Sequence, residues 1–441
     1  MDPAALAALD HAHLWHPFTQ HREWFATEPL VIARAEGNWL VDVHGRRYLD
    51  GVSSLWTTVH GHRHPDLDRA LLDQLGRVAH STLLGLSHPP AILLAAALVQ
   101  RAPAGLQRVF YSDDGSTAVE VALKMAFQYH HNRGDRARTR FACLRDAYHG
   151  DTLGSVSVGA IDLFHSLYRP LLFDALVLPA PTDAGGPEEE RCLAEGLALL
   201  ARHGDTLAGL VYEPLVQGAA GMKHHSAAFL QRLLGEARRR GVLLVADEVA
   251  VGFGRLGTLF ASEQVGVAPD LLCVAKGLSG GYLPLAATLA TEEVFSAFLG
   301  DPGSHVQLFH GHTFTGNPLA CAVALESLAL FDRDRVLDRV RVLEEVLRDA
   351  LAGLATSPWV HAIRHRGVMV GIDLRAPDGT PLPAADRTGH RVCLAARPLG
   401  VVIRPLGDTL VLNPPLSLEP AEARLLVDVV GRAISAVLGA P

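Results

Sequence analysis

The stretch "DLLCVAKGLSGGYLP", Asp270–Pro284, decides how the chain is read. Five apolar residues, Leu271 to Ala275, make a run of strand length and lead straight into Lys276; Gly277, Gly280 and Gly281 follow at once. An ammonium at the end of a buried strand is costly unless it is paired or neutralised, and most lysines avoid that cost by reaching the surface. The neighbouring segments argue for a lysine with work to do. "GVLLVADEVA" (Gly241–Ala250) is another apolar run and ends on Asp247 and Glu248; "LAGLVYEPL" (Leu207–Leu215) is a third and ends on Glu213. Between those two lies "HSAAFLQRLLGEARRR", which has helical periodicity. Strand, helix and strand in alternation predict a parallel sheet covered by helices on both faces. Ligands of such sheets sit beyond the carboxyl ends of the strands. Glu213, Asp247 and Lys276 are therefore expected at one crevice, with Lys276 carried on its strand; the plain alternative for Asp247 is a cap on the turn that follows.

Outward from this centre, "YSDDGSTAVEVALKMA" (Tyr111–Ala126) places Gly115 and Ser116 at a strand-to-helix turn. Thr117 followed by Glu120 fits a capping box, and the open N–H groups of a helix start suit a phosphate. A nucleophilic lysine, a strand-end acid, a phosphate cradle and an aromatic cover are together what pyridoxal 5'-phosphate requires. The glycines after Lys276 would let the backbone pass close to such a ligand.

Bulk properties agree with an α/β enzyme. At 441 residues the chain exceeds one usual core, and two domains are expected. Hydrophobic residues at 49% and charged residues at 20% fit a well-packed globular protein. A formal net charge of -8 argues against a nucleic-acid partner. The five cysteines are scattered, the N-terminal residues lack the basic start of a signal peptide, and no apolar run is long enough to span a membrane. A cytoplasmic protein is expected. Residues 1–60 hold short strand-like runs, residues 61–330 form the large domain, and residues 331–441 change texture into a smaller α/β domain with which the N-terminal segment packs.

"DEVAVGFGRLGTLFASEQVGVAPDLLCVAKGLSGGYLP" resembles the signature of the class III, fold-type I aminotransferases: an acid, a G-F-G-R turn and a lysine 29 positions after Asp247. "LWHPFTQ", "DGVSSLWTTVHGHRHP", "AYHGDTLGSVSVG" and "FHGHTFTGNPLACAVA" are similar to the branch of that class that aminates 8-amino-7-oxononanoate in biotin biosynthesis. The resemblance runs from Leu14 to Pro415. It implies that Lys276 is the Schiff-base lysine and proton shuttle, that Asp247 pairs with the pyridine nitrogen, and that Gly115 and Ser116 hold the phosphate. It implies that Tyr148 lies over the ring and that Thr313, beside Gly311 and His312, reaches the phosphate of a second copy in a homodimer. It also implies that Arg404 binds the acceptor's carboxylate, a task its planar fork suits, and that Phe18, Leu55, Trp56 and Glu213 line the substrate pocket.

Members using S-adenosylmethionine commonly carry other residues at Phe18, Leu55 and His312, and a tyrosine near Val411. "SSLWTTVHGHRH" is more like a branch using lysine. Both donors stay open, as does another ω-amino-acid aminotransferase. A reading outside catalysis comes from the 23 histidines: His60, His62 and His64 alternate and, in an extended segment, would face one side as metal ligands do. The neighbouring glycine and proline interrupt such a strand, and the expected site holds no metal.

Overall fold

The computed structural model describes residues 2–161 and 165–439. Its centre is a seven-stranded sheet: β1 (Leu106–Ser112), β2 (Arg140–Leu144), β3 (Leu176–Leu178), β4 (Leu207–Tyr212), β5 (Leu243–Asp247), β6 (Leu271–Val274) and β7 (Ala286–Thr291), in the order β1-β7-β6-β5-β4-β2-β3. Strands β3, β2, β4, β5 and β6 run parallel, and β7 runs antiparallel to both its neighbours, β6 and β1. Every residue of β4, β5 and β6 is buried. That is why these strands read as continuous apolar runs: both faces of the sheet are covered.

Register sets the edge where chemistry collects. Asp247 pairs with Cys273 and Ala246 with Tyr212. Asp247, Glu213 just past β4, and the residues just past β6 therefore leave the sheet at nearly one level. The helix α1 (Gly115–Asn132) follows β1 and buries Ala118, Val119, Ala122 and Ala126. It begins earlier than the Thr117–Glu120 pattern suggests. Asp114 is its cap: the Asp114 carboxylate accepts from Thr117 N at 2.9 Å, and Thr117 Oγ1 accepts from Asp114 N at 3.0 Å. Glu120 instead accepts Gly154 N at 2.7 Å.

Two four-stranded sheets lie outside the central one, and the first joins the two ends of the chain. Ile32–Glu36, Trp39–Asp42 and Arg47–Asp50 form antiparallel pairs, and Val401–Val402 adds to Arg47–Asp50 in parallel. The other sheet is antiparallel and contains Val360–Arg366, Met369–Leu374, Thr409–Leu412 and Arg404–Leu406. The hairpin Val360–Leu374 turns at Gly367, whose φ is +58°, and Val368 N donates to Arg255 O at 3.0 Å. A Cβ on Gly367 would lie 2.1 Å from Arg255 O, against backbone that cannot yield. Gly367→Ala is expected to lose about 2–4 kcal/mol of stability, read as a lower denaturant midpoint, because it combines a left-handed φ with a backbone clash. Among the described residues no helix is long and apolar enough to cross a membrane.

Candidate active site

Lys276 does not sit on its strand. The pairing of β6 with β7 ends at Val274, and Lys276 opens a tight 3₁₀ turn, Lys276–Ser279, with φ +45°. The strand stops because that backbone angle cannot continue a sheet, and it swings the side chain out of the sheet toward the cleft. The glycines after it make room for protein more than for ligand. A Cβ on Gly277 would meet Phe253 at 2.9 Å, and one on Gly281 would meet Thr58 N at 3.0 Å. Lys276 Nζ lies 4.6 Å from the centre of the Trp56 ring. Burial pushes its pKa down to about 8, helped by the charge of Arg255 and opposed through space by Asp247 and Glu213.

Asp247 is 4% exposed at the end of β5. Its Oδ2 accepts from His149 Nδ1 at 2.7 Å, and its Oδ1 accepts from Val249 N at 3.0 Å. The second hydrogen bond is the turn cap; the first fixes the tautomer of a fully buried imidazole whose Nε2 has no partner in the structure. Glu213 Oε1 accepts Gly218 N at 3.0 Å, and burial, with Asp247 adding to it, pushes its pKa up to about 7. Glu248 has a different task. Its carboxylate accepts Ala261 N and Ser262 N, which closes the loop that follows β5. Arg255, from the G-F-G-R turn, is buried; its guanidinium donates to Pro414 O and to Thr58 O and ties three distant segments together.

Gly115 and Ser116 open α1 beside this group. A Cβ on Gly115 would meet Val249 at 2.5 Å, so only glycine lets the helix start approach the loop after Asp247. Ser116 Oγ lies 2.7 Å from Thr152 Oγ1 and accepts Thr152 N at 3.0 Å. Tyr148, next to His149, stacks on His165 at 6.3 Å and donates its hydroxyl to Asp151 at 2.8 Å.

Lys276, Asp247, Glu213 and Trp56 thus gather at one end of the sheet, with Tyr148 and the Gly115–Ser116 helix start beside them. The remaining expected residues lie outward. Gly311 and Thr313 are exposed, and His312 Nδ1 sits 2.9 Å from Asp113 Oδ2, next to the start of α1. Gly311 and His312 line a groove of about 360 Å³ with Leu84, Ile92 and Tyr111. Arg404 is exposed at the start of its strand, paired with the buried Val411. Phe18 and Leu55 are exposed. His60, His62 and His64 do not converge: His60 bonds Ser327, His62 bonds Asp50, and His64 caps the helix Pro65–Leu75. Among the described residues no group of three or more His, Cys, Asp or Glu could hold a metal ion.

Sequence reasoning missed His149 and Arg255. The signal for His149 was its place beside Tyr148; that for Arg255 was the G-F-G-R turn. Neither partner is near in sequence.

The cleft fits pyridoxal 5'-phosphate on the chain's own chemistry. It holds an amine whose pKa burial lowers, a buried carboxylate at the same sheet edge, and a helix start that only glycine allows so close.

Comparison with known proteins agrees. The family model "Aminotransferase class-III" matches residues 22–434. A protein of Nitratidesulfovibrio vulgaris named adenosylmethionine-8-amino-7-oxononanoate aminotransferase is 55% identical over 98% of this chain and 82% of its own. The crystal structure of the Methanocaldococcus jannaschii protein of the same name superposes with a TM-score of 0.96 at 39% identity, covering 99% of this chain and 100% of that one. An amine transaminase from an uncultivated Pseudomonas species, solved with PLP bound, gives 0.90 at 35% identity over 96% and 99%. The chain belongs to the class-III aminotransferases and has their fold-type I architecture.

Proposed function

We propose that this chain transfers an amino group to 8-amino-7-oxononanoate in biotin synthesis, with pyridoxal 5'-phosphate as cofactor and S-adenosylmethionine as donor. The acceptor and donor are those in the names of its full-length relatives. One observation carries the chemistry: the Lys276 amine, 4.6 Å from the Trp56 ring centre, lies at the same sheet edge as buried Asp247. Lysine is the second donor reading, supported by the likeness of "SSLWTTVHGHRH" and "HSTLLG" to a lysine-using branch.

When bound, the cofactor supplies an electron sink for the charge left at the donor carbon. Lys276 Nζ would hold it covalently and, once the donor amine has taken that place, would act as general base, taking the donor's α-proton and passing it to the cofactor carbon within the same half-reaction; the acceptor would run this transfer in reverse. Asp247 keeps a proton on the ring nitrogen, and His149 Nδ1 orients that carboxylate. Gly115 and Ser116 bind the phosphate at the α1 start. Tyr148 covers the ring; Trp56, Glu213, Phe18 and Leu55 line the substrate pocket; Arg404 grips the acceptor's carboxylate. Thr313, with Gly311 and His312 beside it, faces outward and reaches the phosphate of a second copy, which makes the working unit a homodimer in the cytoplasm. In this reading residues 61–330 are the cofactor domain, and residues 1–60 and 331–441 together make the small one; Arg47–Asp50 paired with Val401–Val402 supports it.

The test is the donor half-reaction followed by product. Loaded enzyme is mixed with each amine singly, and loss of its visible absorption is followed before acceptor is added. Adenosylmethionine should discharge it, and 7,8-diaminononanoate should then form. Discharge by lysine alone would move the donor; discharge by ω-amino acids with no diamine would make the chain a different class-III enzyme.

Two further outcomes are expected. The neutral amine is the nucleophile, so the rate at which the apo chain captures pyridoxal 5'-phosphate should rise about tenfold per pH unit below about 8 and level off above it. Stopped-flow absorbance across a pH series reads this directly. Gly150 has φ +118°, and a Cβ there would lie 2.4 Å from Ser116 Oγ. Gly150→Ala should displace Ser116 and weaken cofactor affinity on the order of tenfold or more, the loss of one hydrogen bond to a charged group; equilibrium dialysis measures it.

A further inference from the structure

His62, the middle histidine of "HGHRH", and the carboxylate of Asp50 have no part in the reaction proposed above, yet they meet beside it. Asp50 is fully buried. Its Oδ1 accepts Val52 N at 3.3 Å and Ser54 N at 2.9 Å; its Oδ2 accepts Ser54 Oγ at 3.1 Å and His62 Nε2 at 2.9 Å. His62 thus anchors the carboxylate, and the carboxylate holds the backbone N–H groups of Val52 and Ser54.

Those residues are in an unfavourable conformation. Ser53 has φ +50°, Ser54 +59° and Trp56 +65°, and none is glycine. Side chains disfavour this region, and such residues persist only where their surroundings over-determine them. The surroundings here are identifiable. Asp50 holds Ser54, and Ser53 Oγ donates to Asn413 O at 2.6 Å. The turn ends on Trp56, whose ring is confined on one side by Gly218, where a Cβ would come within 3.0 Å, and stands 4.6 Å from Lys276 Nζ.

We propose that Asp50 and His62 are positioning residues of the amino transfer: together they hold the Ser53–Trp56 turn in its left-handed form and so keep the Trp56 ring over the Lys276 amine. The inference rests on the function proposed above and adds two residues to it that touch neither substrate nor cofactor. The ring shields the amine from water; when the turn relaxes, the ring drifts and water enters. A side chain displaced by about 1 Å can cost as much as a hundredfold in rate.

The experiment is a double-mutant cycle on the loaded enzyme. Asp50→Asn and His62→Ala should each lower kcat/KM by about 10- to 100-fold. His62→Gln, whose amide N–H can still reach the Asp50 carboxylate, should recover most of the loss. In a Trp56→Ala background, Asp50→Asn should cost nothing further, because its effect runs through the ring. A second reading avoids activity altogether. Water admitted to the cleft relieves the burial that depresses Lys276, so the pH midpoint for capture of pyridoxal 5'-phosphate by the apo chain should move upward from about 8, equally in Asp50→Asn and in Trp56→Ala. Equal losses with and without Trp56, or an unmoved midpoint, would overturn the proposal. If Asp50→Asn fails to fold, the His62→Ala and His62→Gln pair decides it alone: no loss in the first, or no recovery in the second, overturns it. A Lys276→Ala variant that retains full turnover would instead defeat the proposed function.

Discussion

Lys276→Ala is expected to lower kcat by at least ~10⁴-fold, because in the proposed mechanism one nitrogen serves both as covalent anchor and as proton carrier, each role worth orders of magnitude. The loss should be chemical and not structural. Lys276 already sits at φ +45°, so alanine inherits the same backbone strain and gives up only the side chain. Thermal melts of the apo chain should therefore differ little. Lys276→Arg separates charge from nucleophilicity: it restores a cation over Trp56 and should recover no turnover, since guanidinium stays protonated. Borohydride reduction followed by peptide mapping should find the pyridoxyl group on Lys276 in the wild type and nowhere in the alanine variant. Near wild-type turnover in either variant would remove the basis of the proposed mechanism.

Asp247→Asn is expected to have the next largest effect, a fall in kcat on the order of 10²–10³-fold with weaker cofactor binding. That is the scale for removing a preorganised charge from a water-poor site. The amide keeps the shape and can still accept Val249 N, so the turn after β5 should hold. What disappears is the carboxylate that the proposed function sets against the ring nitrogen and that accepts from His149 Nδ1. The Lys276 titration supplies an independent check with a defined sign. Asp247 holds that pKa up against burial, so without the charge the capture midpoint should move below about 8. The shift is opposite to that expected for Asp50→Asn, and the two cannot be mistaken for one another.

The sheet was legible because its central strands are buried on both faces and leave uninterrupted apolar runs: Leu207–Tyr212, Leu243–Asp247 and Leu271–Val274 could hardly be anything else. The acids at their ends were legible for the same reason, since a charge closing such a run stands out. Local detail was less so. Whether α1 is capped by Asp114 or by Thr117 depends on three residues of register among several good caps. That Lys276 leaves its strand depends on a positive φ, which a non-glycine residue does not advertise. The partners of His149, Arg255 and His62 lie on other segments of the chain, so no spacing encodes them. Thr313, Arg404, Phe18 and Leu55 came only from family resemblance; each is exposed, where burial and periodicity say nothing.

The parallel pairing of Val401–Val402 with Arg47–Asp50 has a bearing on biosynthesis. The ribosome makes residue 50 some 350 residues before its neighbour in the sheet, a delay of roughly 20–70 s at ordinary elongation rates. Throughout that interval one edge of the early hairpin is bare, and Arg255 lacks the Pro414 carbonyl that it will grip. The nascent polypeptide is thus a candidate client for chaperones until its last segment emerges, and a transcript truncated before codon 400 would yield a product with its lysine in place and its cleft unfinished.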